Sequence, residues 1–460
     1  MIRRGSHPAA VTDRPGGWHG NAGGALKRFL GPGGDSWLLA ICLSRVGTYM
    51  VYISYAAALP VLQREWGMSA TAAGTISASF QVAYALSLTG CSELADHIGA
   101  RRVFLASTLA SFAGAVAFAL LAHDYWSCLI LYTVLALLLG GSYTTGIILI
   151  AENTPAARRG RAMGIFLGGH SLGLALGLVL TGLALPLGGY RLAFATIALG
   201  PTAGAALASL ALWRTPNRVT PRDQERGALR AVLGNRPAML TIASYTCHSY
   251  ELLGMWVWTP AFLAACFMAA GAPLSRAAGR GAYLTSSFHL TGMVASLIAG
   301  SLSDRWGRTP VMFSMAGVSA LCSFAFGWLV GAPIWVVMGL GLLYAFAALG
   351  DSPIYSTAIT EVVEPAYRGA ALGLRSFVGY GAGAIAPLVF GAIVDSRGGV
   401  AAGAHAWGWA FASLGVAGLL AVASVVALHR LPEARPLTRR SPTLSADRPT
   451  RHSVGAKDGR

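Results

Sequence analysis

Twelve apolar runs recur along the chain, each close to the roughly 20 residues that a helix needs to cross the hydrocarbon core of a bilayer. Their cores lie near 36–59, 71–92, 103–122, 127–150, 162–186, 191–213, 239–264, 282–302, 310–331, 334–359, 370–394 and 404–428. The 460 residues are 55% hydrophobic and only 11% charged, under half the roughly 25% charge of a soluble globular protein. A surface that uncharged must face lipid for much of its area. This excludes a soluble enzyme, a disordered tail protein and a nucleic-acid binder as readings of the whole chain. The six cysteines, Cys42, Cys91, Cys128, Cys247, Cys266 and Cys322, are scattered in or beside apolar runs without metal-ligand or paired spacing. They read as small packing residues.

The net charge of +16 reads as a topology signal. Of the 34 Lys and Arg residues, 27 fall in the two tails and in alternate loops beginning with the one after span 2. Five fall in the opposite loops, and Arg45 and Arg375 lie inside spans. Basic residues accumulate in cytoplasmic loops, so both termini are expected in the cytoplasm and the chain in the cell inner (plasma) membrane, a multi-pass protein in contact with the lipid bilayer. Residues 1–35 form a basic N-terminal tail, and span 1 is too long for a signal-peptide core. The Arg-rich stretch 214–238 reads as a cytoplasmic linker and residues 430–460 as a disordered basic C-terminal tail. Trp126, Trp213 and Trp335, at span ends, read as interfacial anchors.

Two loop patterns occur twice. Ser92-Glu-Leu94-Ala-Asp96-His-Ile-Gly99-Ala-Arg101-Arg102, after span 2, matches Gly300-Ser-Leu302-Ser-Asp304-Arg305-Trp-Gly307-Arg308, after span 8, at an offset of 208. The segment from Glu152 through Arg159, Gly160 and Ala162 to Gly164 matches the one from Glu361 through Arg368, Gly369 and Ala371 to Gly373 at 209. Two matches at nearly one offset mean a duplicated six-span unit, 36–213 and 239–429. Transporters built from repeats place the substrate near midplane at the repeat interface. The glycines allow tight reversals between helices, and the aspartates can accept hydrogen bonds from cations or a helix N-terminus.

Twelve spans in two halves, with Gly-x-Leu-x-Asp-Arg-x-Gly-Arg after span 8 and a near copy after span 2, resemble the major facilitator superfamily. The resemblance covers about residues 36–430. It implies an all-α integral membrane fold with 12 transmembrane helices, arranged as two pseudo-symmetric six-helix bundles that rock around a central cavity. It also implies that Asp96, Gly99, Arg101, Glu152 and Arg159 in one half, with Asp304, Arg305, Gly307, Arg308, Glu361 and Arg368 in the other, form gating clusters. The first copy departs from the pattern at Ser92, His97 and Ala100, which predicts weaker gating contacts there.

An ionisable group within a span costs about 2.5–3.5 kcal/mol on insertion scales and is a functional candidate. Arg45, His170, His248, Glu251, His289, Asp351 and Arg375 qualify. On span 7, Tyr245, His248, Glu251, Met255 and Trp258 recur at steps of three or four and share one helical face. Glu251 falls near midplane, where a desolvated carboxyl is a candidate proton carrier with His248 one turn away. Arg45 shares a face with Tyr49 and Tyr52 and can fork a carboxylate or phosphate, or pair with Glu251 or Asp351. Asp351 and Arg375 share a depth, so a mutual ion pair is expected. His170, beside Gly173 and Gly177, reads as a packed histidine. Gln81 and His289, equivalent at offset 208, read as hydrogen-bonders lining the cavity.

The resulting expectation is a secondary transporter importing a small solute, an anionic metabolite or inorganic anion, by proton-coupled alternating access. The alternative is a proton-antiporting exporter of drugs or metabolites, and a less favoured one is a non-transporting membrane sensor or assembly protein. The chain has neither a P-loop nor a Gly-x-Ser-x-Gly elbow, so no enzyme is expected. No cofactor, metal or nucleic acid is expected either; the partners are a small-molecule substrate and H+, with the chain acting as a monomer.

Overall fold

A computed structural model describes residues 31–219 and 227–438. Twelve helices follow one another. The first, α1, runs Asp35–Tyr49, passes through a 3-10 turn at Met50–Ile53 and continues as Ser54–Glu65. Next come α2 (Ala70–Ile98), α3 (Ala100–Leu121) and α4 (Tyr125–Leu139 with Gly141–Asn153). A single helical stretch, Ala156–Leu212, is broken at Gly188 and Gly189, the latter at φ 65° and ψ −162°, giving α5 (156–187) and α6 (190–212). After a short helix at Ala228–Gly234, the second half holds α7 (Arg236–Ala269), α8 (Leu274–Trp306), α9 (Arg308–Phe326), α10 (Ile334–Gly350 with Ser352–Val362), α11 (Arg368–Ser396) and α12 (Ala404–Arg430).

Among the described residues, nine helical stretches are long and apolar enough to cross a membrane, and one of them holds both α5 and α6. The two that fall short are α2 and α8, which are repeat equivalents. Ser, Thr, Gln81 and His289 dilute their hydropathy, and their place explains it. α2 packs on α11, and α5 on α8, across the boundary between the six-helix bundles. Their inner faces meet protein instead of lipid.

The bundles meet asymmetrically along these four helices. On the side where α1 ends and α2 begins, here the far side, a Cβ added at Gly74 would lie 2.3 Å from the carbonyl oxygen of Pro387. One at Gly391 would lie 2.2 Å from that of Ala70, and Gly182 and Gly279 each place it 2.6 Å from the other's oxygen. On the opposite side, which carries the basic turns, Gly90, Gly164, Gly300 and Gly373 of the same helices have open space around them. The bundles are therefore pressed together on the far side, and these glycines of the basic side make no such contact. Asp395, at the end of α11, secures the seal by accepting hydrogen bonds from the amides of Ala70 (2.9 Å) and Thr71 (2.7 Å) and from the Thr71 hydroxyl (2.6 Å). Its charge faces the N-terminus of α2, where an anion is favoured.

The repeated loops are tight reversals, with Gly99 at φ 91° and Gly307 at φ 96°. Each is covered by the segment that follows its own half. Asn217 donates to the carbonyl of Ile98 (2.8 Å) and accepts from the amide of Arg102 (3.3 Å), while Leu437 and Thr438 lie against Gly307. Residues 431–438 are consequently folded, with Ala434 and Leu437 fully buried beside Ile354 and Tyr355. This corrects the expectation that disorder begins at 430: three apolar side chains, Leu431, Ala434 and Leu437, anchor the segment. The N-terminal tail through residue 30, the linker residues 220–226 and residues 439–460 lie outside the described residues.

Candidate substrate-binding site

Arg45 lies on α1 at 2% exposure. Its guanidinium carbon sits 4.5 Å from the ring centre of Tyr49, 4.9 Å from Tyr143 on α4 and 4.4 Å from Phe166 on α5. Close approach of α5 makes this cage possible, since a Cβ at Gly173 or Gly177 would run into the α1 backbone at Val46 or Met50. Ring faces satisfy the cation by its quadrupole attraction but accept none of its in-plane N–H groups. Nε and Nη1 have no hydrogen-bond partner. The expected alternatives of an ion pair to Glu251 or Asp351 are not adopted, because both carboxylates have other partners.

Arg375, on α11, stacks 4.3 Å from the ring centre of Tyr245 on α7 and donates from Nη1 to Ser356, leaving Nε without a partner. At the repeat offset of 209, Phe166 is the counterpart of Arg375; aligning the intrahelical prolines Pro60 and Pro260 makes Arg45 the counterpart of Tyr245. The two bundles thus repeat one cation–ring pair with cation and ring exchanged.

Asp351 does not pair with Arg375. It sits at the break in α10, 1% exposed, with Oδ1 3.2 Å from His248 Nδ1, and His248 Nε2 contacts the Ser352 hydroxyl at 2.9 Å. The α10 break turns Asp351 toward His248 on α7 instead. Glu251 points into the C-terminal bundle, where one carboxylate oxygen accepts from Ser319 and Ser323 of α9, each at 2.7 Å; Ser323 is 2.6 Å from the Tyr344 hydroxyl. The other oxygen packs at Gly418 of α12. Trp258 is also inside that bundle, donating to the Pro387 carbonyl (3.1 Å) and stacking on Phe390.

The boundary between the bundles is lined by rings. The Tyr49 and Tyr84 hydroxyls are 2.8 Å apart, Tyr52 donates to Gln81 Oε1 (2.8 Å), and Tyr84 meets Tyr380 of the other bundle at 5.7 Å. His170 packs against Tyr49 and also reaches across to Trp256, which contacts His289. Arg45, Tyr49, Gln81, His289 and Arg375 therefore belong to this boundary, whereas Glu251 and Trp258 do not. Sequence reasoning missed Tyr143, Phe166, Trp256 and Tyr380. A signal for Trp256 was present: Tyr245, Ser249, Leu252 and Trp256 form a second stripe at helical spacing.

Among the repeated-loop residues, Arg308 joins the second cluster. Its side chain, 12% exposed, pairs with Asp304, donates to Ser303 (2.7 Å) and forks the two oxygens of Glu361, Oε1 at 2.9 Å and Oε2 at 3.3 Å. The first copy has Ala100 at that position. There Arg101 turns instead to the carbonyl of Leu212 at the end of α6 (2.8 Å), Glu152 receives Arg218 on its backbone oxygen (3.0 Å), and Arg159 reaches the Thr154 carbonyl (3.5 Å). Asp96 lies in the last turn of α2, and Arg305 and Arg368 are exposed.

The Major Facilitator Superfamily pattern matches residues 38–279 and 275–454. Over 88% of this chain and 91% of its own, a probable transporter of Streptomyces coelicolor is 28% identical. The hexuronate transporter of Bacillus subtilis is 24% identical over 78% of this chain and 88% of its own. A probable sulfoacetate transporter of Cupriavidus necator is 25% identical over 78% and 86%. The crystal structure of the nucleoside transporter NupG superimposes with a TM-score of 0.68 at 13% identity, covering 86% of this chain and 99% of that one.

Proposed function

The chain belongs to the Major Facilitator Superfamily, and we propose that it moves a small organic anion across the cytoplasmic membrane, coupled to protons. The observation that carries this reading is Arg45: a buried cation held by three ring faces, with Nε and Nη1 free of protein partners. A buried guanidinium with N–H groups free of protein hydrogen bonds can fork a carboxylate or sulfonate. Two relatives named for a hexuronate and a sulfoacetate support the same charge class.

Protons enter through the C-terminal bundle. Glu251 and the His248–Asp351 pair are titratable groups with defined partners on α7, α9 and α10, the helices a rocking bundle would rearrange. The excess of basic residues on the side away from the far-side seal supports a cytoplasmic position for that side, and on this reading the molecule is inward-open, with Asp304, Arg308 and Glu361 as a latch residing wholly in one half. Uptake into proteoliposomes tests the reading. An inward proton gradient should drive accumulation of a carboxylate, and transport of lipophilic cations alone would defeat it.

A further inference from the structure

The break in α10 sets its second half, Ser352–Val362, apart by what it touches. Ser352 and the adjoining Asp351 hold His248, Tyr355 meets the Ser244 hydroxyl at 2.9 Å, Ser356 accepts from Arg375, and Glu361 receives Arg308. A boundary cation, a titratable pair and a loop cluster thus depend on one rod of 11 residues, about 16 Å long. A helix that short draws its stability from packing. Ile354, Tyr355 and Ala358 pack in a buried cluster with Leu428 at the end of α12 and with Ala434 and Leu437 of the segment that follows it. Tyr245, the ring beneath Arg375, lies against the same cluster, its centre 5.6 Å from that of Tyr355.

The segment 431–438 is fixed on either side. His429 Nδ1 lies 2.9 Å from the Thr309 hydroxyl at the start of α9, and Thr438 lies against Gly307. An Arg-x-Pro follows each bundle, as Arg214-Thr-Pro216 and Arg430-Leu-Pro432. After the first bundle, Arg218 reaches the second half of α4 by a hydrogen bond to the Glu152 carbonyl. After the second, buried apolar side chains reach the second half of α10. Resting on the transport reading, we propose that residues 431–438 clamp the second half of α10, and that Leu437 is a positioning residue acting through it. From its place in the cluster, Leu437 keeps Ser356 at Arg375, and Asp351 and Ser352 at His248. Release of the clamp frees the half-helix at the break and leaves Ile334–Gly350 packed.

Hydrogen–deuterium exchange of the purified full-length protein, read by mass spectrometry, tests this without any solute, so its outcome is separate from that of the transport reading. In Leu437→Ala the amides of 352–362 should exchange at least about tenfold faster, the effect of losing a buried leucine's packing, while those of 334–350 keep their rates. Leu437→Met, of similar volume, should restore slow exchange. Nitrogen NMR of the histidine rings should show the His248 signal moved in Leu437→Ala, with those of His170 and His289 in place. A structural role alone would speed exchange alike on both sides of the break. That result overturns the proposal, as does slow exchange of 352–362 or an unmoved His248 signal in Leu437→Ala. If Leu437→Ala does not fold, the unsubstituted protein decides. Residues 431–438 should exchange before or together with 352–362; a half-helix that exchanges ahead of them opens with the segment still in place, and no clamp exists.

Discussion

The carboxylate of Asp395 accepts two hydrogen bonds from Thr71, 2.7 Å from its amide nitrogen and 2.6 Å from its hydroxyl, and so ties the end of α11 to the start of α2. The bond joins different bundles, so it exists only while the far side is closed. Charge-assisted hydrogen bonds contribute about 1.5–3 kcal/mol, and Asp395→Asn removes the charge and half the acceptor capacity. It should shift the closed-to-open equilibrium on the far side by roughly tenfold or more. Spin labels at the exposed positions 126 and 335 should report a longer mean separation. An unchanged distance distribution would show that the glycine contacts hold the seal by themselves.

Gly182 tests those contacts. Its hydrogen leaves room for the Gly279 carbonyl, which a Cβ would approach to 2.6 Å. Gly182→Val should lower stability by about 1–3 kcal/mol, the usual cost of overpacking, or open the far side to escape the clash. Gly164→Val, on the same helix in open space, should do neither. Thermal unfolding of the two variants side by side separates these cases.

The two loop clusters differ in what each would lose. Arg308→Ala leaves Asp304 and Glu361 facing each other without their cation, and should destabilise the protein by about 1–3 kcal/mol. Glu152→Gln in the other half should change stability by no more than about 0.5 kcal/mol, because its held atom is the backbone oxygen. Comparable losses from both would contradict the asymmetry that Ala100 introduces.

Glu251→Gln should retain folding and substrate exchange while abolishing accumulation driven by a pH gradient. The amide keeps an acceptor for Ser319 and Ser323 but binds no proton in the physiological range. Gradient-driven uptake that survives in this variant would remove Glu251 from the coupling and leave His248 and Asp351 as the carriers.

Much of the architecture was legible because it follows from long-range averages. Span length, the sidedness of Lys and Arg and the offsets of 208 and 209 each sum over many residues, and local accidents do not disturb them. The polarity of α2 and α8 could also have been read as burial against protein. Site geometry was less legible, since helical phase says which residues share a face and not what faces them. Glu251 and His248 do lie a turn apart, yet one meets α9 and the other the break in α10. That break, at Gly350 and Asp351, does carry a local signal in Gly350 and Pro353, but it does not say which helix Asp351 will face. The rings around Arg45 come from α1, α4 and α5, and only tertiary packing assembles them.

The most direct test of the anion site is thermal stabilisation of the purified protein by anionic, neutral and cationic metabolites, measured in parallel on Arg45→Gln. A ligand at about 100 times its dissociation constant adds roughly 2.7 kcal/mol to the folded state. Stabilisation by carboxylates that vanishes in Arg45→Gln is the predicted result. Stabilisation by lipophilic cations alone, or carboxylate stabilisation that persists in Arg45→Gln, would contradict it.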